Sequence, residues 1–114
     1  MKAVFVELPA FDRHRAEYLS DEAFRTLQAT LMQSPIAGAA IEGTGGLRKL
    51  RFADVRRGKG KRGGLRVIYF WWEAGFQFWL YTLYDKDERD DLSPQQRKTL
   101  KAMLKAELEA RRMA

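Results

Sequence analysis

Residues 65–84 read LRVIYFWWEAGFQFWLYTLY. Two runs rich in β-branched and aromatic residues, Leu65 to Trp72 and Phe76 to Tyr84, flank the segment Glu73-Ala74-Gly75. Such runs predict strands, and the three residues between them fit a hairpin loop. Both faces of each run are largely apolar, which is typical of strands covered on both sides. We therefore expect this hairpin to lie at the centre of a sheet.

Two further strands are predicted outside the hairpin. Ala3 to Glu7 is rich in β-branched and aromatic residues, and Leu47 to Phe52 alternates basic with apolar side chains. In the second strand, Lys49 and Arg51 share one face, because successive side chains of a strand point to opposite faces. The glycine-containing segment 34–46 is expected to be a loop.

Three helices are predicted from caps and apolar spacing. Pro9 opens the first helix, and Ser20 caps a second helix that ends before Pro35. The third helix begins with the capping box Ser93-Pro94-Gln95-Gln96 and reaches about Arg111. The order β-α-α-β-β-β-α indicates an α+β fold. We expect an N-terminal helical hairpin and a C-terminal helix packed on an antiparallel-rich sheet of about four strands.

Composition excludes several classes of protein. The length of 114 residues suits one small domain spanning 1–114, and 46% apolar with 32% charged residues is typical of a globular protein. The absence of Cys excludes disulfides, thiolate metal sites and cysteine nucleophiles, and His14 is the single histidine. Neither a signal peptide nor an apolar stretch long enough to cross a bilayer is found. We expect a cytoplasmic protein that needs no metal or cofactor and no membrane.

The net charge of +6 is concentrated in one segment. Asp54 is the only acid between residues 48 and 66, whereas nine basic residues lie there: Arg48, Lys49, Arg51, Arg56, Arg57, Lys59, Lys61, Arg62 and Arg66. A concentrated basic patch indicates a polyanionic partner.

The glycines of this segment do not form a nucleotide-binding motif. The run 58–64 lacks the Lys-Ser/Thr pair of a P-loop and leads into a strand instead of a helix. A nucleic acid fits better, because Lys and Arg neutralise phosphates and aromatic rings stack on unpaired bases. Most aromatic residues of the hairpin are expected in the core, but Tyr84 ends its strand and is open to either role. Arg66 is alone among apolar neighbours, so it needs an ion-pair partner, such as Glu7 or Glu42, or a functional task.

Three segments carry a resemblance to a known family. They are Gly45-Gly46-Leu47-Arg48-Lys49-Leu50-Arg51, the run 58–69 with GKGKRGGLRVIY, and Leu83-Tyr84-Asp85-Lys86-Asp87-Glu88. The chain is similar to the RelE/ParE superfamily, and in particular to HigB-type toxins of its RelE-like branch. The resemblance implies a RelE-like fold and a ribosome-dependent endoribonuclease that cuts mRNA in the ribosomal A site. It also implies a cognate antitoxin encoded beside it, expected to be a helix-turn-helix protein.

The resemblance implies catalytic roles for five residues. Lys49 and Arg51 match the basic strand pair that grips the RNA backbone, and Arg66 matches the arginine that stabilises the scissile phosphate. Lys86 matches a basic position after the last strand, and Tyr84 matches the aromatic that related toxins present to the site. The other basic residues, expected to bind RNA or the ribosome, are Arg48, Arg56, Arg57, Lys59, Lys61 and Arg62.

Metal-free RNA cleavage makes definite chemical demands. The ribose 2′-OH is the nucleophile, so the site needs a proton acceptor, cations on the phosphate and a donor to the leaving oxygen. Neighbouring cations lower the pKa of a lysine, which makes Lys49 or Lys86 the candidate for proton transfer, with Arg51 and Arg66 on the phosphate. Asp87 stands where some RelE enzymes have an arginine, so the general base and acid stay open.

Two alternatives also stay open. ParE-like members of the superfamily act on DNA gyrase and are not nucleases, but the clustered Lys49, Arg51 and Arg66 favour a nuclease. The chain could also be a non-catalytic module that binds RNA or the ribosome through its basic loop. Single alanine substitutions at Lys49 or Arg66 would then cause only a modest loss, whereas catalysis would fall by orders of magnitude.

Overall fold

The computed structural model describes residues 2–55, 58–61, 64–89 and 91–113. Within them the chain forms three helices and five strands, with a 3₁₀ turn at Glu73–Gly75. In chain order the elements are β1 (Val4–Glu7), α1 (Pro9–Tyr18), α2 (Asp21–Gln33), β2 (Ala39–Ala40), β3 (Arg48–Phe52), β4 (Leu65–Trp72), β5 (Gln77–Asp85) and α3 (Pro94–Met113).

The sheet has the strand order β1-β5-β4-β3-β2. β1 pairs with β5 in parallel, and every other pair is antiparallel. The predicted hairpin, β4–β5, therefore lies inside the sheet, and the predicted α+β class with an antiparallel-rich sheet is confirmed. The sheet has five strands where about four were expected. The additional strand, β2, is only two alanines long and carries no alternating pattern, so the sequence gives no sign of it.

The side-chain caps predicted at Ser20 and Ser93 are present, and they determine where α2 and α3 begin. Ser20 Oγ accepts a hydrogen bond from the Ala23 N–H at 3.1 Å. At α3 the capping box is reciprocal, since the Ser93 N–H donates to Gln96 Oε1 at 2.8 Å and the Gln96 N–H donates to Ser93 Oγ at 3.1 Å. This box starts α3 a few residues after β5, which brings its first turn back to the sheet.

The sheet separates two apolar cores. On one face, α1 and α2 bury side chains such as Phe11 and Leu27 against Val67 and Tyr69 of β4. On the other face, α3 packs over a second cluster: Leu47, Ile68, Trp79, Tyr81, Tyr84, Leu92 and Leu104. Because strand residues alternate between faces, Arg66 lies on the same face as Ile68, under α3. Most of the hairpin aromatics are buried or half-buried as expected, but Phe76 is 55% exposed.

Gly64 marks a close approach of two backbone segments. A Cβ at this position would lie 2.5 Å from the carbonyl oxygen of Phe52 and 2.7 Å from that of Gly60. Only glycine therefore fits at position 64 without a shift of the backbone.

We expect Gly64→Ala to lower the free energy of unfolding by about 1–3 kcal/mol, because backbone must shift to admit the methyl group. Gly60→Ala is the matched control, since its Cβ would meet nothing within 4 Å. It should leave the stability unchanged or slightly raised. Urea denaturation followed by circular dichroism measures both, and equal effects would contradict the close approach.

Candidate functional site

Three of the predicted site residues lie side by side on three neighbouring strands. Arg51 of β3 is directly opposite Arg66 of β4, and Arg66 is directly opposite Tyr84 of β5. Opposite residues of antiparallel strands project to the same face with Cβ atoms about 5 Å apart. Lys49, two residues before Arg51, shares this face. The fold thus places Lys49, Arg51, Arg66 and Tyr84 together, on the face that α3 covers.

Arg66 is buried, with 4% of its surface exposed. Its Nη1 donates to the carbonyl oxygens of Lys61 at 2.8 Å and Leu65 at 3.2 Å. Glu7, one of the partners considered from sequence, instead contacts Arg15, with Oε1 2.9 Å from Arg15 Nε. These two contacts tie the Arg66 guanidinium to the loop before β4 and to the first residue of β4.

Tyr84 is also buried, at 7% exposure. Its hydroxyl has no hydrogen-bond partner among the residues that the structure describes. Burial raises the pKa of this hydroxyl, and the negative charge of Asp91 adds to the rise. The positive charges of Arg66, Arg89 and Arg97 offset part of this rise in pKa. At neutral pH the hydroxyl is a proton donor, and its ring could stack on a base only after the groups that cover it move.

Asp91 joins Lys49 to the first turns of α3. Its Oδ1 lies 3.4 Å from Lys49 Nζ and accepts from the Leu92 N–H at 2.8 Å, and its Oδ2 lies 3.0 Å from Arg97 Nη2. Burial alone would raise the pKa of Asp91, but the Leu92 N–H and the charges of Lys49 and Arg97 outweigh it and hold the pKa below its usual value. The carboxylate is therefore ionised at neutral pH.

The basic loop between β3 and β4 contacts the segment between β5 and α3, to which Asp91 belongs. Asp54 and Lys59 exchange backbone hydrogen bonds of 2.9 and 3.0 Å, which close the loop into a tight bridge. The Lys59 ammonium pairs with the carboxylate of Asp87. Lys61 is exposed. The predicted RNA-binding residues Arg56, Arg57 and Arg62 lie outside the described residues.

The remaining predicted cations have different surroundings. Arg51 is exposed. Arg48 is half-buried and donates from Nη1 to the Gly38 carbonyl at 2.8 Å, a contact that ties β3 to the preceding loop. Lys86 is half-buried, and its backbone N–H donates to the Gly64 carbonyl at 3.1 Å. Lys86 therefore stands directly beyond β5, beside the start of β4.

A groove runs along the sheet edge that β2 leaves uncovered. Its volume is about 620 Å³, and its lining includes Thr26 and Thr30 of α2 together with Lys49, Arg51 and Lys61.

The sequence did not indicate Asp91 or Arg97 as members of the site. Lys49 and Asp91 are 42 residues apart, and only the tertiary fold brings them together. The one usable signal was the capping box, which returns the chain to the sheet immediately after the acidic segment.

The arrangement is suited to binding an oxyanion. Lys49, Arg51, Arg66 and Arg97 present positive charge around one region, and guanidinium groups match the oxygens of phosphates and carboxylates. Among the described residues, no cluster of three or more His, Cys, Asp or Glu could hold a metal ion. The described helices include none that is long and apolar enough to cross a bilayer.

No protein-family model matches the chain. Among solved structures, the fold is similar to that of the E. coli toxin RelE, in the free state of a variant with two arginines replaced by alanine. The TM-score is 0.54 at 12% sequence identity, over 79% of this chain and 90% of that chain. The similarity confirms the RelE-like fold that the sequence resemblance implied.

We expect Tyr84→Phe to change the free energy of unfolding by less than about 0.5 kcal/mol, because no hydrogen bond to a described residue is lost. Tyr69→Phe is the matched comparison. Its buried hydroxyl donates to the Pro35 carbonyl at 2.8 Å and accepts from the Gly38 N–H at 3.0 Å. Its loss should cost about 1–3 kcal/mol. Urea denaturation measures both variants, and a Tyr84→Phe loss as large as that of Tyr69→Phe would reveal a bond at Tyr84.

Proposed function

We propose that this chain is a HigB-type toxin of a type II toxin–antitoxin system, and that it cuts mRNA in the ribosomal A site. The observation that carries the proposal is the row Arg51–Arg66–Tyr84 on a RelE-like sheet, with Lys49 beside it. These are the positions that the family resemblance assigns to catalysis. The ribosome and mRNA are the proposed partners, together with a cognate antitoxin, and the chain acts in the cytoplasm.

The proposed reaction is a transesterification in which the ribose 2′ oxygen displaces the 5′ oxygen from the phosphate. The 2′ oxygen forms a bond to phosphorus while the bond from phosphorus to the 5′ oxygen breaks, which leaves a 2′,3′-cyclic phosphate and a 5′-hydroxyl end. One group takes the 2′ proton, and another gives a proton to the leaving oxygen. Lys49 and Lys86 are the candidates for the first task, which a lysine performs only in its neutral amine form. Tyr84, protonated at neutral pH, is a candidate for the second.

Arg66 and Arg51 stabilise the negative charge that grows on the phosphate oxygens. Arg66 is held by two carbonyls, so its charge is in place before the reaction and needs no reorganisation. Arg51 is exposed and can close on the phosphate from the neighbouring strand. Placement of the mRNA by the ribosome would lower the barrier further, because it fixes the orientation of the 2′ oxygen.

The test uses purified protein, programmed ribosomes and mapping of mRNA 5′ ends. We expect a ribosome-dependent cut in the A-site codon, and Arg51→Gln should slow it by about 10²-fold or more. Lys105→Gln is the matched control, because Lys105 is an exposed residue of α3 and the charge change is the same. Arg66→Ala should abolish the cut, with circular dichroism checking that the fold survives loss of a buried group.

The absence of an A-site cut, or equal cutting by Arg51→Gln and Lys105→Gln, would contradict the proposal. A non-catalytic ribosome-binding module is the second candidate, and the covered Tyr84 ring favours it. Under that alternative the mRNA stays intact, and Arg51→Gln weakens ribosome association only a few-fold.

Ribosome association should weaken steeply with salt. Each phosphate contact on a single strand contributes about 0.7 to the slope of log affinity against log salt concentration. Contacts from several of the basic residues between Arg48 and Arg66 should therefore lower the affinity for ribosomes at least about 10-fold between about 50 and 200 mM salt. Co-sedimentation with ribosomes measures this, and a flat response would contradict the role given to the basic surface.

A further inference from the structure

The carboxylate of Asp91 is held as a bound anion would be held. One oxygen faces Lys49 Nζ at 3.4 Å and the Leu92 N–H at 2.8 Å, and the other faces Arg97 Nη2 at 3.0 Å. The two cations come from different elements, β3 and α3, and converge on one pair of oxygens. A phosphodiester presents the same pair of charged oxygens.

This anion position adjoins the row of predicted catalytic residues. Lys49 shares the sheet face of Arg51, and the Tyr84 hydroxyl is close enough to Asp91 and Arg97 for both charges to shift its pKa. The side chain of Arg97 is 41% exposed, yet its Nε is buried and has no hydrogen-bond partner in the described part of the chain. The exposed part of the Arg97 side chain is therefore accessible to a ligand.

The segment after β5 neutralises cations at two points. Asp91 contacts Lys49, and Asp87 pairs with Lys59 of the basic loop. Both acids belong to the stretch that connects β5 to α3, which lies against the surface proposed to bind RNA. Acidic side chains placed there compete with phosphates for the same cations.

We propose that Asp91 occupies the position of an RNA phosphate, and that Lys49 and Arg97 bind this phosphate after Asp91 is displaced. The inference rests on the proposed function only for the identity of the ligand as RNA. It adds Arg97 to the binding residues and makes the segment after β5 an internal competitor. Displacement of Asp91 is feasible because its side chain is 45% exposed, and each exposed ion pair contributes only about 0–1 kcal/mol to stability.

The first experiment compares RNA binding by the natural chain and by Asp91→Asn. The probe is a fluorescently labelled RNA oligonucleotide with 2′-O-methyl riboses, which cannot be cleaved, and binding is followed by anisotropy without ribosomes. The asparagine keeps an oxygen for the Leu92 N–H but removes the charge. Glu109→Gln is the matched control, since Glu109 is exposed on α3 and loses the same charge.

We expect Asp91→Asn to bind the oligonucleotide about 10-fold more tightly, because Lys49 and Arg97 become available to a phosphate. Glu109→Gln should change the affinity less than about 2-fold. Asp91→Ser, which also keeps an acceptor for Leu92, serves as a second variant if the asparagine chain does not fold.

The second experiment separates a binding role of Arg97 from a structural one. In the Asp91→Asn background, Arg97→Gln should reverse most of the gain, whereas Lys105→Gln should not. If Arg97 served only to hold Asp91, its replacement in this background would leave RNA affinity unchanged.

Folded Asp91→Asn that binds RNA no better than Glu109→Gln would overturn the inference, as would the absence of binding by every variant. A-site cleavage by the natural chain is measured separately, so the two proposals can fail independently. Cleavage without an affinity gain contradicts the inference and leaves the proposed function standing. An affinity gain without cleavage supports the phosphate position and contradicts the nuclease.

Discussion

The antiparallel pairing of β4 with β3 on one side and β5 on the other is the constraint on which the site depends. It places Arg66 opposite both Arg51 and Tyr84, and it sends alternate side chains of β4 into two different cores. A shift of one residue would move Arg66 into the core under α1 and α2, where a charge is costly. The apolar packing on both faces therefore fixes the register that assembles the cations.

The resulting charge arrangement conflicts with local stability. Arg51 and Arg66 face each other across two strands, and like charges directly opposite destabilise a sheet. Arg66 is held in its buried position by backbone carbonyls, and the acids Asp87 and Asp91 neutralise neighbouring cations. The acidic segment and the proposed RNA phosphates then provide alternative ways to balance the same charge.

Much of this fold could be predicted from local signals. The hairpin β4–β5 follows from two apolar runs around Glu73–Gly75, and the caps at Ser20 and Ser93 follow from side chains that act within three residues. β2 could not be predicted, because two alanines carry no periodicity and pair only through the neighbouring β3. The family resemblance assigns Lys49, Arg51, Arg66, Tyr84 and Lys86 to the candidate site, yet the burial of Tyr84 and the contact of Asp91 with Lys49 depend on where α3 packs. Sequence patterns describe faces of an element, whereas these features arise between elements that are distant along the chain.

The most direct test of the account is the position of mRNA 5′ ends after incubation with programmed ribosomes. We expect a cut in the A-site codon that requires ribosomes, is retained by Lys105→Gln and is slowed by about 10²-fold or more in Arg51→Gln. Intact mRNA with the natural chain, or a cut that Arg51→Gln makes equally well, would contradict it.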